Sequence, residues 1–161
     1  MTGCSDGSPR SGAVVVAGFL PLARRRCGVA GEAPVAFAGF SMGGYGSLLL
    51  ASELGPERVF GVAATSAALW TDPGLSAEGA FDDREDFLAH DVFARRDALS
   101  GIPIRLDCGR DDPFADANRA FADAVPEVEL TIDAGGHDGT YWREHAGVQF
   151  DWLRARLDER G

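Results

Sequence analysis

Three short stretches of the sequence carry a serine, a carboxylate and a histidine in an order that nucleophilic catalysis can use. They are Gly39-Phe40-Ser41-Met42-Gly43-Gly44, Gly109-Arg110-Asp111-Asp112-Pro113-Phe114 and Gly135-Gly136-His137. A serine hydroxyl attacks a carbonyl carbon only when a base takes its proton. A histidine acting as that base needs a carboxylate to fix its tautomer and to stabilise the imidazolium that forms. Ser41, His137 and Asp112 are the candidates for nucleophile, base and acid. Residues 33–40 form a short apolar run and residues 45–54 a helical one, which places Ser41 on a tight strand-to-helix turn. Such a turn strains the serine backbone and crowds its flanks, and Gly39, Gly43, Gly44 and Gly46 all suit it. The helix that starts after Ser41 points backbone N–H groups at the site, and the N–H of Met42 is the candidate oxyanion donor.

The elements that must position these residues alternate. A helix is expected over residues 13–26, a strand over 35–39, the turn and its helix over 45–54, and a strand over 59–64. Residues 65–79, with Trp70, Pro73 and several glycines, read as an irregular excursion over the site. The acidic run at 82–86 is expected to open a helix leading toward Phe93, its carboxylates favoured by the N-terminal end of the helix dipole. A capped helix explains this run better than a metal site built with His90, and no metal or cofactor is expected. A strand over 103–108, a helix over 113–125, a strand over 127–132 and a helix over 141–157 complete the order. Strands that alternate with helices and are apolar on both faces predict an α/β fold: about four mostly parallel strands flanked by helices. In such sheets the chemistry gathers at the carboxyl ends of the strands, where Ser41, Asp112 and His137 all fall.

Within each stretch the residue has to be chosen. Asp107, Asp111, Asp112 and Asp116 lie near the third strand end. The chain must leave that strand through Gly109 before a carboxylate can turn inward, which favours Asp112, with Asp111 as the fallback and a turn-capping carboxylate as its ordinary role. His137 follows two glycines, whereas His90 and His145 have no such setting, and His145 is expected on the last helix, facing solvent or packing. Phe40, Trp70, Phe114, Tyr141 and Trp142 stand near the three stretches and either line a substrate pocket or serve as core aromatics.

Composition limits what else the protein does. The 161 residues with 45% hydrophobic content suffice for one core, so a single domain is expected over residues 13–161 after a disordered, polar segment at 1–12. All 15 basic residues are arginine, and 25 acidic residues give a net charge of −10, which opposes binding to nucleic acid or to anionic lipid. The three cysteines, Cys4, Cys27 and Cys108, show no metal-ligand spacing, and Cys27 and Cys108 are expected as buried free thiols. The apolar stretch 13–23 is followed by Arg24-Arg25-Arg26 without a small-residue cleavage site, which fits a surface helix better than a signal peptide. No run reaches membrane-spanning length.

GFSMGGYGS, DCGRDDPF and GGHDGTYW resemble the motifs of the esterase D type family of α/β hydrolases, a family of S-formylglutathione hydrolases, feruloyl and enterochelin esterases and mycolyltransferase antigens. The resemblance runs from about residue 14 to 157 and implies Ser41 as nucleophile, Asp112 as acid and His137 as base, acting without a cofactor on a small-molecule carboxylic ester or transferring its acyl group. It corresponds to the later half of the family fold. On that reading the first half of the sheet and the loop giving the second oxyanion donor are absent, and the strand at Val35 to Gly39 is an edge for a second copy or an upstream half to cover. The alternative expectation is a non-catalytic remnant of such an esterase. As written the chain is expected in the cytoplasm, a secretion signal belonging to any upstream segment.

Overall fold

The structure is a computed structural model that describes residues 11–29 and 31–160. It forms two compact units divided between Ala33 and Pro34. In the first, α1 (Ser11–Ala13) leads into a π-helical turn at Val14–Phe19 and then α2 (Leu20–Cys27). The wider turn falls where three valines and Gly18 disfavour an α-helix, so the helix expected over 13–26 is present but not uniformly α. Arg24, Arg25 and Arg26 fill the last turn of α2, where the helix dipole favours cations, and Gly28 ends it in the left-handed conformation at φ 66°. Cys27 is exposed, against the expectation of burial, because α2 has no buried residue around it. Cys4 and most of the segment expected to be disordered lie outside the described residues.

The second unit is an α/β layer built on four parallel strands, β1 (Val35–Phe40), β2 (Val59–Thr65), β3 (Ile104–Gly109) and β4 (Val128–Asp133), in the order β1-β2-β3-β4. Each strand lies within one residue of its expected place. Phe37 pairs with Val62, Thr65 with Asp107 and Asp107 with Thr131, which aligns the carboxyl ends of the strands. β2 and β3 are buried along nearly their whole length and carry the core, while β1 and β4 are the outer strands of the described sheet. Side chains such as Val62, Ile104 and Leu106 are fully buried, each contributing roughly 1.5–3 kcal/mol.

Helices cover both faces. Gly44 of α3 (Met42–Leu54) lies against Ala64, whereas Trp152 and Leu153 of α6 (Gly139–Asp158) pack with Ala63. Ala63 and Ala64 point to opposite sides of β2, so α3 and α6 do also. α3 starts three residues earlier than expected, because Gly43, Gly44 and Gly46 dilute a helical pattern that the backbone nevertheless continues. Before β3, Asp83 caps α4 (Arg84–His90) by accepting from the Asp86 N–H at 2.9 Å. α4 stops short of Phe93 because Asp91 accepts from the Phe93 N–H and bends the chain away. Within 65–79 the regular element is a 3-10 turn at Pro73–Leu75. α5 (Ala115–Ala124) buries Ala115, Asn118 and Phe121 along one face between β3 and β4.

Candidate active site

The turn after β1 places Ser41 at φ 52° and ψ −119°, a conformation that costs a non-glycine residue about 1–3 kcal/mol. Two backbone hydrogen bonds hold it there. The Ser41 N–H donates to the Thr65 carbonyl at 3.0 Å, and the Ser41 carbonyl accepts from the Ala68 N–H at 3.1 Å. The crowding at this turn falls on two glycines of the four. A Cβ on Gly39 would meet the Gly43 backbone, and one on Gly44 would press on Ala64 and Ala67, whereas Gly43 and Gly46 have open space. The amide of Met42 sits in the first turn of α3, where N–H groups have no intrahelical partner.

The carboxylate comes from the turn after β3. Gly109 leaves the strand in close contact with the backbone of Gly135 and Gly136, so this turn and the one carrying His137 are packed main chain to main chain. The Asp111 N–H donates to the Gly135 carbonyl at 2.9 Å, which leaves the Asp111 side chain exposed. Asp112 turns inward. Its Oδ1 accepts from the Phe114 N–H at 2.8 Å and its Oδ2 lies 2.9 Å from Nδ1 of His137. Burial raises the Cys108 thiol to about 12, with the neighbouring Asp112 carboxylate adding to the rise. Of the other acids in this stretch, Asp107 is fully buried and engaged by Arg105 and by Gln149 Nε2 at 3.0 Å, and Asp116 pairs with Arg119 on the surface.

His137 lies between the two. Its Nε2 is 2.9 Å from the Ser41 hydroxyl. A proton on Nδ1 donated to Asp112 leaves Nε2 as the acceptor that faces Ser41. The ring is held by aromatic neighbours, with Phe114 tilted against it and Trp142 edge-on, both at 5.2 Å between centroids. Residues that are 96 and 25 apart in sequence are thereby brought into one line of contacts.

The surrounding aromatics divide into three groups. Phe40 and Trp142 stack on one side of His137, with Phe40 42% exposed. Phe114 and Trp70 form the other wall, an edge-to-face pair at 5.6 Å that lines an open cavity of about 530 Å3 with Leu69, Leu75, Pro113 and Ala117. Tyr141 stands apart. Its ring packs behind the His137 turn, over Gly135 and stacked on His145. Its hydroxyl donates to Asp133 at 2.7 Å, and burial followed by that carboxylate pushes its pKa up. His145 packs here as well, with Nε2 3.2 Å from Asp133. His90 Nδ1 lies 2.8 Å from the Asp86 carbonyl in α4. Neither the cavity beside Phe114 nor a separate hollow of about 360 Å3 under Pro73, Phe81 and Phe87 includes Ser41, Asp112 or His137 in its lining; the larger one adjoins them through Phe114, which packs on His137. Among the described residues no helix is long and apolar enough to cross a membrane.

The model of the Esterase family matches residues 15–159. No curated protein matches the chain. Among solved structures, a ferulic acid esterase is 24% identical with a TM-score of 0.74 over 89% of this chain and 60% of its own. An S-formylglutathione hydrolase from Agrobacterium tumefaciens is 20% identical with a TM-score of 0.68 over 90% of this chain and 57% of its own. The enterochelin esterase of Shigella flexneri is 24% identical with a TM-score of 0.67 over 90% of this chain and 37% of its own. These likenesses show a shared α/β fold, and the chain spans between about a third and three fifths of the length of these three structures.

Proposed function

The chain belongs to the Esterase family, and from that membership we propose that it hydrolyses carboxylic esters through an acyl-serine intermediate, with Ser41 as nucleophile, His137 as base and Asp112 as the carboxylate that orients it. The observation that carries this reading is the pair of 2.9 Å contacts joining Ser41 Oγ to His137 Nε2 and His137 Nδ1 to Asp112.

In the first half-reaction, Nε2 of neutral His137 takes the Ser41 proton as Oγ bonds to the ester carbonyl carbon, and the carbonyl π electrons move to oxygen. The Met42 N–H, at the positive end of α3, is the donor this chain offers to that oxygen. A donor of this kind is worth roughly a hundredfold to a thousandfold in turnover. Collapse of the tetrahedral species expels the alcohol, which leaves with the proton held on His137. Water then repeats the sequence: it gives a proton to His137, bonds to the acyl carbon, and Ser41 departs with that proton as the acid is released.

The cavity that adjoins His137 through Phe114 suits an uncharged, apolar part of an ester. The cavity beside Phe114 is large enough for a small ligand and its walls are mainly apolar. Among the described residues that line it the charged side chain is Asp116, and the chain carries a net charge of −10, so an anionic substrate would be repelled. The structurally similar ferulic acid esterase and enterochelin esterase are consistent with ester chemistry on this fold.

The test is intact-mass analysis after treatment with a fluorophosphonate, beside Ser41→Ala. One adduct per chain that is absent from the variant is the expected result. An unlabelled, folded wild-type chain would replace this reading with that of a non-catalytic remnant.

A further inference from the structure

The contacts among Ser41, His137 and Asp112 are one arc of a longer circuit that closes on the far side of the site through a single buried side chain. Asn118, on α5, is fully buried. Its Nδ2 donates to the main-chain carbonyl of Ala67 and to that of Phe114, both at 2.9 Å. Because both neighbours are carbonyl oxygens, the nitrogen must face them, and the amide cannot be turned over.

Each end of that bridge leads to the site in one further step. On the Phe114 side, the N–H of Phe114 holds Asp112 Oδ1 at 2.8 Å, and Asp112 in turn holds His137. On the Ala67 side, the carbonyl that accepts from Asn118 belongs to the same peptide unit as the Ala68 N–H, which donates to the Ser41 carbonyl at 3.1 Å. A rigid peptide plane therefore has Asn118 on one edge and the strained Ser41 on the other. Ala67 also lies close to Gly44, where an added Cβ would meet the Ala67 Cα and Cβ at 3.1 and 3.2 Å. Without Asn118 no side-chain hydrogen bond among the described residues ties the acid turn to the Ala67–Ala68 peptide, leaving the Trp70–Phe114 ring contact, and the Ala67 carbonyl keeps its other donor, the Leu69 N–H at 2.8 Å. Loss of the bridge thus frees one loop relative to the other without orphaning a carbonyl.

We propose that Asn118 is a positioning residue of this site: by tying the turn that carries Asp112 to the peptide that holds Ser41, it sets the distance between His137 and the serine hydroxyl. The inference rests on the function proposed above. The group touches neither substrate nor the reacting atoms, and it acts through Asp112 and Ser41. A displacement of about 1 Å between reacting groups lowers turnover on the order of a hundredfold.

Asn118→Leu keeps the branched heavy-atom outline and removes the donors. Two readouts are taken on the full chain: hydrolysis of p-nitrophenyl acetate, and the downfield NMR signal of the His137 Nδ1 proton, assigned by its loss in His137→Ala. The expected result is a native circular dichroism spectrum, kcat lowered roughly tenfold to a hundredfold with KM within about twofold, and a shifted or broadened His137 signal. Phe121→Leu, one turn further along α5 and packed on Phe93, destabilises the same helix without touching either turn and should leave the signal in place. If Asn118→Leu does not fold, Asn118→Ala, which leaves room for a water at the Ala67 carbonyl, carries the same comparison. Wild-type kcat and an unmoved signal in the folded variant would overturn the inference, as would absence of the signal from the wild type. A wild-type chain that shows the signal, loses it in Asn118→Leu and yet neither turns over nor labels would overturn the function and leave the positioning role standing.

Discussion

Phe40 and Trp142 lie face to face, 2° from parallel with ring centroids 5.7 Å apart, and Trp142 in turn meets the edge of His137. The last residue of β1 and one from the first turn of α6 thus form a common wall beside His137. Phe40 is 42% exposed, so its outer surface is available to a substrate and its loss removes little core. Phe40→Ala is expected to leave thermal stability nearly unchanged and to raise KM for aryl esters about twofold to tenfold, the equivalent of roughly 0.5–1.5 kcal/mol for one aromatic contact. Steady-state kinetics on phenyl and methyl esters of one acid checks this, since the effect should appear with the aryl series alone.

The glycines of the Ser41 turn divide by the space around them. Gly39→Ala drives a Cβ into the Gly43 backbone and should destabilise the chain by about 1–3 kcal/mol or more while abolishing fluorophosphonate labelling. Gly46→Ala, in α3, meets nothing within 4 Å and should stabilise by about 0.5–1 kcal/mol with labelling retained. Urea denaturation of the two variants gives opposite signs if the close approach governs.

The thiols differ in the same measurable way. Cys108 is fully buried, and burial, reinforced by the Asp112 carboxylate, raises it to about 12, so it remains a protonated thiol at pH 8. Cys27 is exposed. Iodoacetamide at pH 8 is expected to alkylate Cys27 in the native protein and Cys108 only after denaturant is added. Peptide mapping of a time course distinguishes the two, and rapid native labelling of Cys108 would contradict the packing described.

Asp138 caps α6 directly after His137. The Tyr141 and Thr140 N–H groups donate to it and lower its pKa below the ordinary carboxylate value. A carboxyl whose folded value is depressed stabilises the fold above its unfolded value, and that contribution disappears as pH falls through the folded one. Wild type should therefore melt above Asp138→Ala at pH 7, and the two curves should converge as pH drops below roughly 4. Melting temperatures measured from pH 7 to 3 provide the check; a gap that stays constant would mean the cap acts through shape alone.

The layering of the fold was legible in the sequence because its signals are local. Apolar runs of strand length alternate with helical ones, and each strand was found within one residue of its expected bounds. Where local signals mislead, a three-dimensional neighbour decides. Three glycines hid the first turn of α3, and the expected burial of Cys27 assumed a covering surface that α2 does not have. Of the aromatics named as pocket candidates, Tyr141 reads no differently from Trp142 beside it. One turns its hydroxyl to Asp133 behind the His137 turn and the other stacks on Phe40, a difference fixed by where α6 lies over the sheet. The exit through Gly109 favours Asp112 over Asp111 in the sequence, and in the structure the main-chain bond from Asp111 to Gly135 accompanies that difference. Asn118 gave no signal, since an amide on a helix face acquires its meaning only from two carbonyls it meets after folding.

The strands are laid down in the order in which the ribosome makes them, from β1 to β4, and the last helix returns to pack on β2. The partners that hold the Ser41 turn, Thr65 and Ala68, therefore precede His137 by a long stretch of chain. Under the function proposed above, the Ser41 hydroxyl has its base only when the turn carrying His137 is packed beside it. On that proposal, covalent labelling of Ser41 reports that the His137 turn has docked and not that the Ser41 turn alone has formed.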